Sequence, residues 1–287
     1  MSGERLGAGG KEFQRVLDRL RERLSDGTYV VGSRLATQRN LAGEFGVSRD
    51  TIQRVLRVLT GEGWIEARQG SGARVVKVSR VHSAGPAAER VHLGKLIDQT
   101  FERPEVTLDV ALLTSESLDA HVRLQADRIQ SREIHPQRIA VRVLLPSESL
   151  SLPYPRAKGN PQDPRPQERL RSITRAHTQS LHRVLRELQS EGLVPSVTVE
   201  IRRVPLVPTF KLYLLNGVTA LYGPYEVVER RILLDDGEEV EVVDVVGLGS
   251  DLIHYVKDGA PGAESQGSRF VRSMESWFNS CWELLAE

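Results

Sequence analysis

Apolar positions near the start of the chain fall at helical spacing in three successive blocks. Val16, Leu17, Leu20 and Leu24 recur within EFQRVLDRLRERLSDG, which predicts an amphipathic helix ending near Gly27. Tyr29-Val30-Val31-Gly32 then breaks the period. A short helix is expected from about Gln38 to Phe45, with Leu41, Ala42 and Phe45 inward. A third helix follows, with Ile52, Val55, Leu56 and Leu59 inward. Between the last two, Gly46 supplies the positive backbone angle of a tight turn, Val47 fills the angle and Ser48 is a suitable N-cap. Two β-prone runs come next, Trp64–Arg68 and Ala73–Val78. They flank Gln69-Gly70-Ser71-Gly72 and read as a hairpin with basic shoulders, Arg68 and Arg74. Three helices and a basic hairpin make a winged helix-turn-helix.

The pattern changes past residue 78. Ser79 to Pro104 has little periodicity apart from VHLGKLIDQTF, and reads as a linker leading into a short helix whose Leu93, Leu96, Ile97 and Phe101 can pack on either neighbour. From Val106, VTLDVALL, SLDAHVRLQADRIQ and IAVRVLLP predict a strand-helix-strand unit with buried, parallel strands. Residues 146–168 hold six prolines and read as a surface loop. Thr174 to Leu188 is predicted to be a long helix. Five strands follow, with turns at Asn216-Gly217 and Asp235-Asp236-Gly237. GSDLIHYVK is expected to be a short helix. A Gly/Ser-rich break, Gly259–Gly267, separates it from the last helix, FVRSMESWFNSCWELLA. The expected class is α/β overall, with a winged helix-turn-helix over 1–78, a linker over 79–105 and a mixed α/β sensing or dimerisation domain over 106–287.

Charge sharpens this division. The whole chain of 287 residues carries a net charge of +1. Residues 1–78 hold 14 Lys/Arg against 9 Asp/Glu, whereas residues 106–287 hold 21 against 25. A basic head on an acidic body suggests that the head meets a polyanion. The polar side of the third helix fits that role, because packing has no use for Arg49, Asp50, Gln53 and Arg54 there. Arg can pair bidentately with guanine and Gln with adenine, while Arg, Thr and helix-start amides can hold phosphates. Asp50 reads better as a complement to the helix dipole than as a base contact.

The run YVVGSRLATQRNLAGEFGVSRDTIQRVLRVLTGEGWIEARQGSGARVV resembles the DNA-binding domain of GntR-type bacterial regulators. The likeness covers roughly residues 11–78. It includes Gly32 and Leu35, the Gln38-Arg39-x-Leu41-Ala42 helix, G-V-S-R, and the E-G-W-I and R-Q-G-x-G of the wing. It implies DNA contacts at Arg39, Arg49, Thr51 and the wing tip around Gly70. Ser48, Gln53, Arg54, Arg68 and Arg74 complete the candidate set from their positions in the pattern. Two departures stand out. Ala36 occupies a place where Pro is usual, and Gln53-Arg54 a place where Arg-Glu is common. The element order of the C-terminal part resembles phospholipase D-like sensor domains, although no diagnostic motif supports that likeness.

Chemistry is sparse in the remainder. None of the seven His has Lys two residues later, as a phospholipase D site requires; His92 and His254 each have it three later, at Lys95 and Lys257. G-x-S-x-G, H-E-x-x-H and P-loop patterns are absent from the sequence. A single Cys281 excludes an internal disulfide and a Cys-based zinc site. No catalytic residue, metal or cofactor is expected. Arg142, Arg202, Tyr213, Tyr222 and Tyr225 lie on or beside strands, but no effector-binding residue is singled out. Phe278, Trp282 and Leu285, with Trp277, are expected to pack a core or a dimer contact. The expected partners are double-stranded DNA, a second copy of the chain and a small-molecule effector, in the cytoplasm and away from membranes. The competing reading is a winged-helix protein-interaction module with incidental DNA binding and a purely dimerising C-terminal domain.

Overall fold

The computed structural model describes residues 12–13, 15–17, 19–21, 23–24, 29, 33–61, 64–68, 72–75, 81–83, 93–245, 252–258 and 265–287; the side chains of 61, 66–68, 72, 81–83 and 233 lie outside the description. The expectations for Gln69-Gly70-Ser71, for Gly85-Pro86-Ala87-Ala88 and for residues 259–264 of the Gly/Ser-rich break fall outside these residues.

The N-terminal unit is a winged helix-turn-helix. Helix α1 occupies the described residues within 12–24, α2 is Gln38–Phe45 and α3 is Arg49–Gly61. The apolar stripes identified in the sequence meet in one core. Val16, Leu20, Leu24, Leu41, Ile52, Val55 and Leu59 are fully excluded from solvent, and Leu17, Phe45, Leu56 and Trp64 nearly so. Each such Leu contributes roughly 2 kcal/mol of transfer free energy. Strands β1 (Ile65–Arg68) and β2 (Gly72–Val75) pair antiparallel, Ile65 opposite Val75 and Arg68 opposite Gly72. The chain before α2 adds a third edge, since Leu35 N–H donates to Ala73 O and Val75 N–H to Ser33 O.

The C-terminal unit is a mixed α/β sandwich around a seven-stranded sheet. After β3 (Val81–Ser83) and α4 (Leu93–Phe101) come β4 (Glu105–Ala111), α5 (Glu116–Gln130), β5 (Arg138–Pro146), the two-residue β6 (Arg156–Ala157) and α6 (Arg165–Ser190). Then follow β7 (Ser196–Val204), β8 (Phe210–Leu215), β9 (Thr219–Pro224), β10 (Val227–Leu233), β11 (Glu239–Val245), β12 (Leu252–Val256) and α7 (Gln266–Leu284). The sheet order is β3-β12-β9-β8-β4-β5-β7, with β4, β5 and β7 parallel and β8, β9 and β12 joined antiparallel. Strand alternation divides the core by face. On one face Leu108, Val110, Val141, Val143, Tyr213 and Leu221 pack under α4, α5 and α6. On the other, Ala111, Leu144, Leu212, Leu214 and Ala220 meet α7, whose Phe278 and Trp282 complete the second layer. A smaller sheet, β10-β11-β6, stands apart from these layers.

Several expectations need correction. The helix expected over GSDLIHYVK is replaced, in its described residues, by a strand: Leu252–Val256 is β12, inserted between β9 and β3, and Gly249–Asp251 lie outside the described residues. So short a segment makes a marginal helix alone, and Ile253, Tyr255 and Val256 favour an extended chain once β9 offers an open edge. The proline-rich stretch 146–168 is not wholly a loop. It contributes β6, buries Tyr154 and Ala157, and begins α6, where Pro166 is tolerated because first-turn amides need no helical partner. Within the stretch read as a linker, β3 pairs parallel with β12, and α4 packs its apolar face into the C-terminal core. The turn at Asn216-Gly217 is as expected, with φ of 51° and 61°. No described helix is long and apolar enough to cross a membrane.

Candidate nucleic-acid interface

The interface is built from a turn that sets one helix against another. Thr37 opens α2, its hydroxyl accepting from Asn40 N–H at 3.3 Å. Thr37 was not among the sequence candidates, although a Thr just ahead of an apolar-periodic run is the usual signal of a cap. Gly46 adopts φ 66° and closes α2, while Val47 N–H returns to Ala42 O at 3.1 Å. From outside the turn, the Arg15 guanidinium donates to Phe45 O at 2.8 Å, satisfying a terminal helix carbonyl.

Helix α3 begins with a local polar pair. Ser48 Oγ accepts from Thr51 N–H at 3.1 Å, and the Ser48 and Thr51 hydroxyls lie 2.9 Å apart. Ser48 is thus an N-cap, and Thr51, only 8% exposed, is held beneath it. Loss of this cap in Ser48→Ala is expected to lower stability by about 1 kcal/mol. Urea denaturation checks this: a change within error of zero would show that the amides find water as an equal partner.

Arg49, Asp50, Gln53, Arg54 and Arg57 are all exposed along one side of α3, opposite the buried Ile52, Val55 and Leu59. Ser48 and Arg39, at the turn and on α2, are exposed as well. Arg54 is not as free as Arg49, since its guanidinium lies 4.9 Å from the centroid of the Phe13 ring. Arg74 is exposed on β2, and Arg68 occupies the last position of β1. Gly70 lies outside the described residues, as does the Arg68 side chain.

Two cations escaped the sequence reading. Arg34 forms an isolated antiparallel bridge with Arg74, so both belong to one exposed edge of the wing. Only the pairing of 33–35 with β2 brings them together, and no local spacing signals it. Arg57 lies one turn beyond Gln53, and the i, i+4 spacing would have shown this. The structure therefore exposes cations on the α3 face, on α2 and along the wing edge.

The sequence of this unit has counterparts among known proteins. Residues 13–75 match the family described as "Bacterial regulatory proteins, gntR family". Residues 13–75 form a GntR-family helix-turn-helix domain. The Exu regulon transcriptional regulator of Escherichia coli (strain K12) is 39% identical over 64 residues, which are 22% of this chain and 25% of that protein. The Glc operon transcriptional activator of the same strain is 36% identical over 115 residues, 39% of this chain and 43% of that protein. The repressor MngR of that strain, named for mannosyl-D-glycerate transport and metabolism, is 40% identical over 70 residues, 24% of this chain and 29% of that protein. The chain thus spans less than half the length of these relatives. The likeness to the Exu regulator and MngR is about the size of the GntR-family domain itself.

Proposed function

We propose that the protein is a sequence-specific DNA-binding transcriptional regulator. The observation that carries this reading is the exposed row Arg49, Gln53 and Arg57 on a helix whose opposite side is locked into a core. Such a helix can lie in the major groove, with Arg49 and Gln53 near its N-terminus against base edges. Arg39, Ser48 and Arg54 are assigned to the phosphates beside it, and Thr51, buried beneath Ser48, is assigned to that contact through the Ser48 hydroxyl it holds. Arg68, Gly70 and Arg74 are assigned to the backbone or minor groove reached by the wing. One such module reads few base pairs, so a homodimer on an inverted repeat supplies the needed specificity. The C-terminal unit is assigned to dimerisation and to sensing a small molecule. Repression is the inferred mode, because it needs only occupancy of the operator; the relatives include both an activator and a repressor by name. A DNA-binding role places the protein in the cytoplasm.

Salt tests this reading against protein-interaction alternatives. Each phosphate contact releases counterions, so a dimer with ~6–10 contacts should lose roughly 10³–10⁵ in affinity between about 50 and 200 mM salt. Fluorescence anisotropy on a selected fragment measures the slope. A flat dependence would leave the basic surface without phosphate contacts and sink the proposal.

A further inference from the structure

A cavity of about 240 Å³ lies where the winged unit meets the sheet domain. Arg21 of α1 and Val58 of α3 form the wall on the DNA-binding side. The opposite wall comes from the first turns of α5 and α6 and from the small β10-β11-β6 sheet. Its size sits just below the ~300–1,000 Å³ usual for small-molecule pockets.

The cations around the cavity differ in how they are satisfied. Arg21 Nη2 is 3.1 Å from Glu116 Oε1, with both side chains largely buried. Arg230 Nε donates to Asp244 Oδ2 at 2.8 Å. His177 Nδ1 lies 2.8 Å from the buried Asp119 carboxylate, and its Nε2 is 3.9 Å from Glu116. Arg169, on the second turn of α6, is half-buried and has no acidic partner among the described residues. A guanidinium in such a place is stabilised by a planar anion that fills its fork. Around it the lining is aliphatic, with Leu170, Ile173 and Ile232. Tyr225 adds a phenol that accepts from Leu113 N–H at 2.8 Å and is kept neutral because burial raises its pKa.

We infer that this cavity is the effector site, that it takes a small organic anion through Arg169, and that Arg21 and Val58 convey its occupancy to α3. The ligand class is a carboxylate or phosphate ester on a compact, partly apolar body. Because Val58 belongs to the DNA-reading helix itself, a ligand touching both walls changes which orientation of the winged unit is favoured. The inference rests on the regulator reading above and adds to it a place and a ligand chemistry.

The test uses the full-length protein and three probes: benzoate, phenyl phosphate and the neutral benzyl alcohol. Calorimetric titration without DNA should show one or both anions binding and the alcohol much weaker. Arg169→Ala should weaken the anions roughly 10- to 100-fold, as expected for a lost charge-assisted contact. Circular dichroism confirms that the variant is folded. The tighter of the two anions distinguishes a carboxylate ligand from a phosphate ester. Saturating anion should then shift affinity for a selected DNA fragment by about 5- to 150-fold in the wild type. Absence of anion binding, equal binding by all three probes, or equal binding by Arg169→Ala overturns the site. An unchanged DNA affinity with anion bound overturns the coupling. If the anion needs Arg169 but no DNA fragment is bound, the site stands and the regulator reading fails.

Discussion

Phe278→Ala is expected to destabilise the C-terminal unit by about 3–5 kcal/mol, the usual cost of truncating a buried aromatic side chain. Phe278 is fully buried between α7 and the sheet, stacked with Trp282 at a centroid distance of 5.7 Å. It also shields an ion pair. Arg142 donates to Asp109 Oδ1 at 2.7 Å while its guanidinium lies 5.1 Å from the Phe278 ring centroid. Removing the ring leaves a void beside that pair and loosens the only helix on this face among the described residues. The winged unit has its own core, in which Phe278 takes no part. Urea denaturation followed by tryptophan fluorescence should therefore show one transition moved to lower denaturant. A change below about 1 kcal/mol would mean that α7 is not a packed layer of the fold.

Arg49→Ala is expected to abolish selective DNA binding without harming the fold. The side chain is exposed at the first position of α3, so its removal opens no cavity. A bidentate contact to guanine discriminates by ~1–3 kcal/mol, hence about 2–6 kcal/mol over two half-sites. That corresponds to a loss of roughly 30-fold to more than 10⁴-fold in affinity for the operator. Non-specific binding should fall far less, because it depends on the remaining cations. Competition anisotropy with operator and scrambled fragments separates the two. A uniform loss on both would recast Arg49 as a phosphate contact.

How far the sequence revealed these features depended on how local each one was. Helices α2 and α3 were legible because Leu41, Phe45, Ile52, Val55 and Leu59 set the period and Gly46 marks the break. The strand-helix-strand of β4, α5 and β5 was legible from its long apolar runs, and the parallel register agrees. The sequence of β12 is ambiguous, because Leu252, Ile253 and Val256 also suit one side of a short helix and only the open edge of β9 decides between the two. The start of α6 was hidden by Pro161, Pro164 and Pro166, which signal a loop until the helix beyond them is known to need a first turn. The interface residues on α3 could be named in advance, whereas the pairing of Arg34 with Arg74 depended on long-range contact. Of the five Arg and Tyr residues considered for a pocket, Tyr225 lines the interdomain cavity. Arg142 instead pairs with Asp109, Arg202 lies against Trp282, Tyr213 fills the core and Tyr222 packs against Phe210 and Phe270. A cavity shared by α1, α3, α5, α6 and β10 leaves no local spacing to read.

The most direct test of the regulator reading is selection of genomic fragments by the purified full-length protein, run beside Arg49→Ala. The wild type is expected to enrich an inverted repeat whose half-sites lie one helical turn, or a multiple of it, apart, and the variant is not. Equal enrichment of the same fragments by both proteins, or enrichment by neither, would contradict that reading.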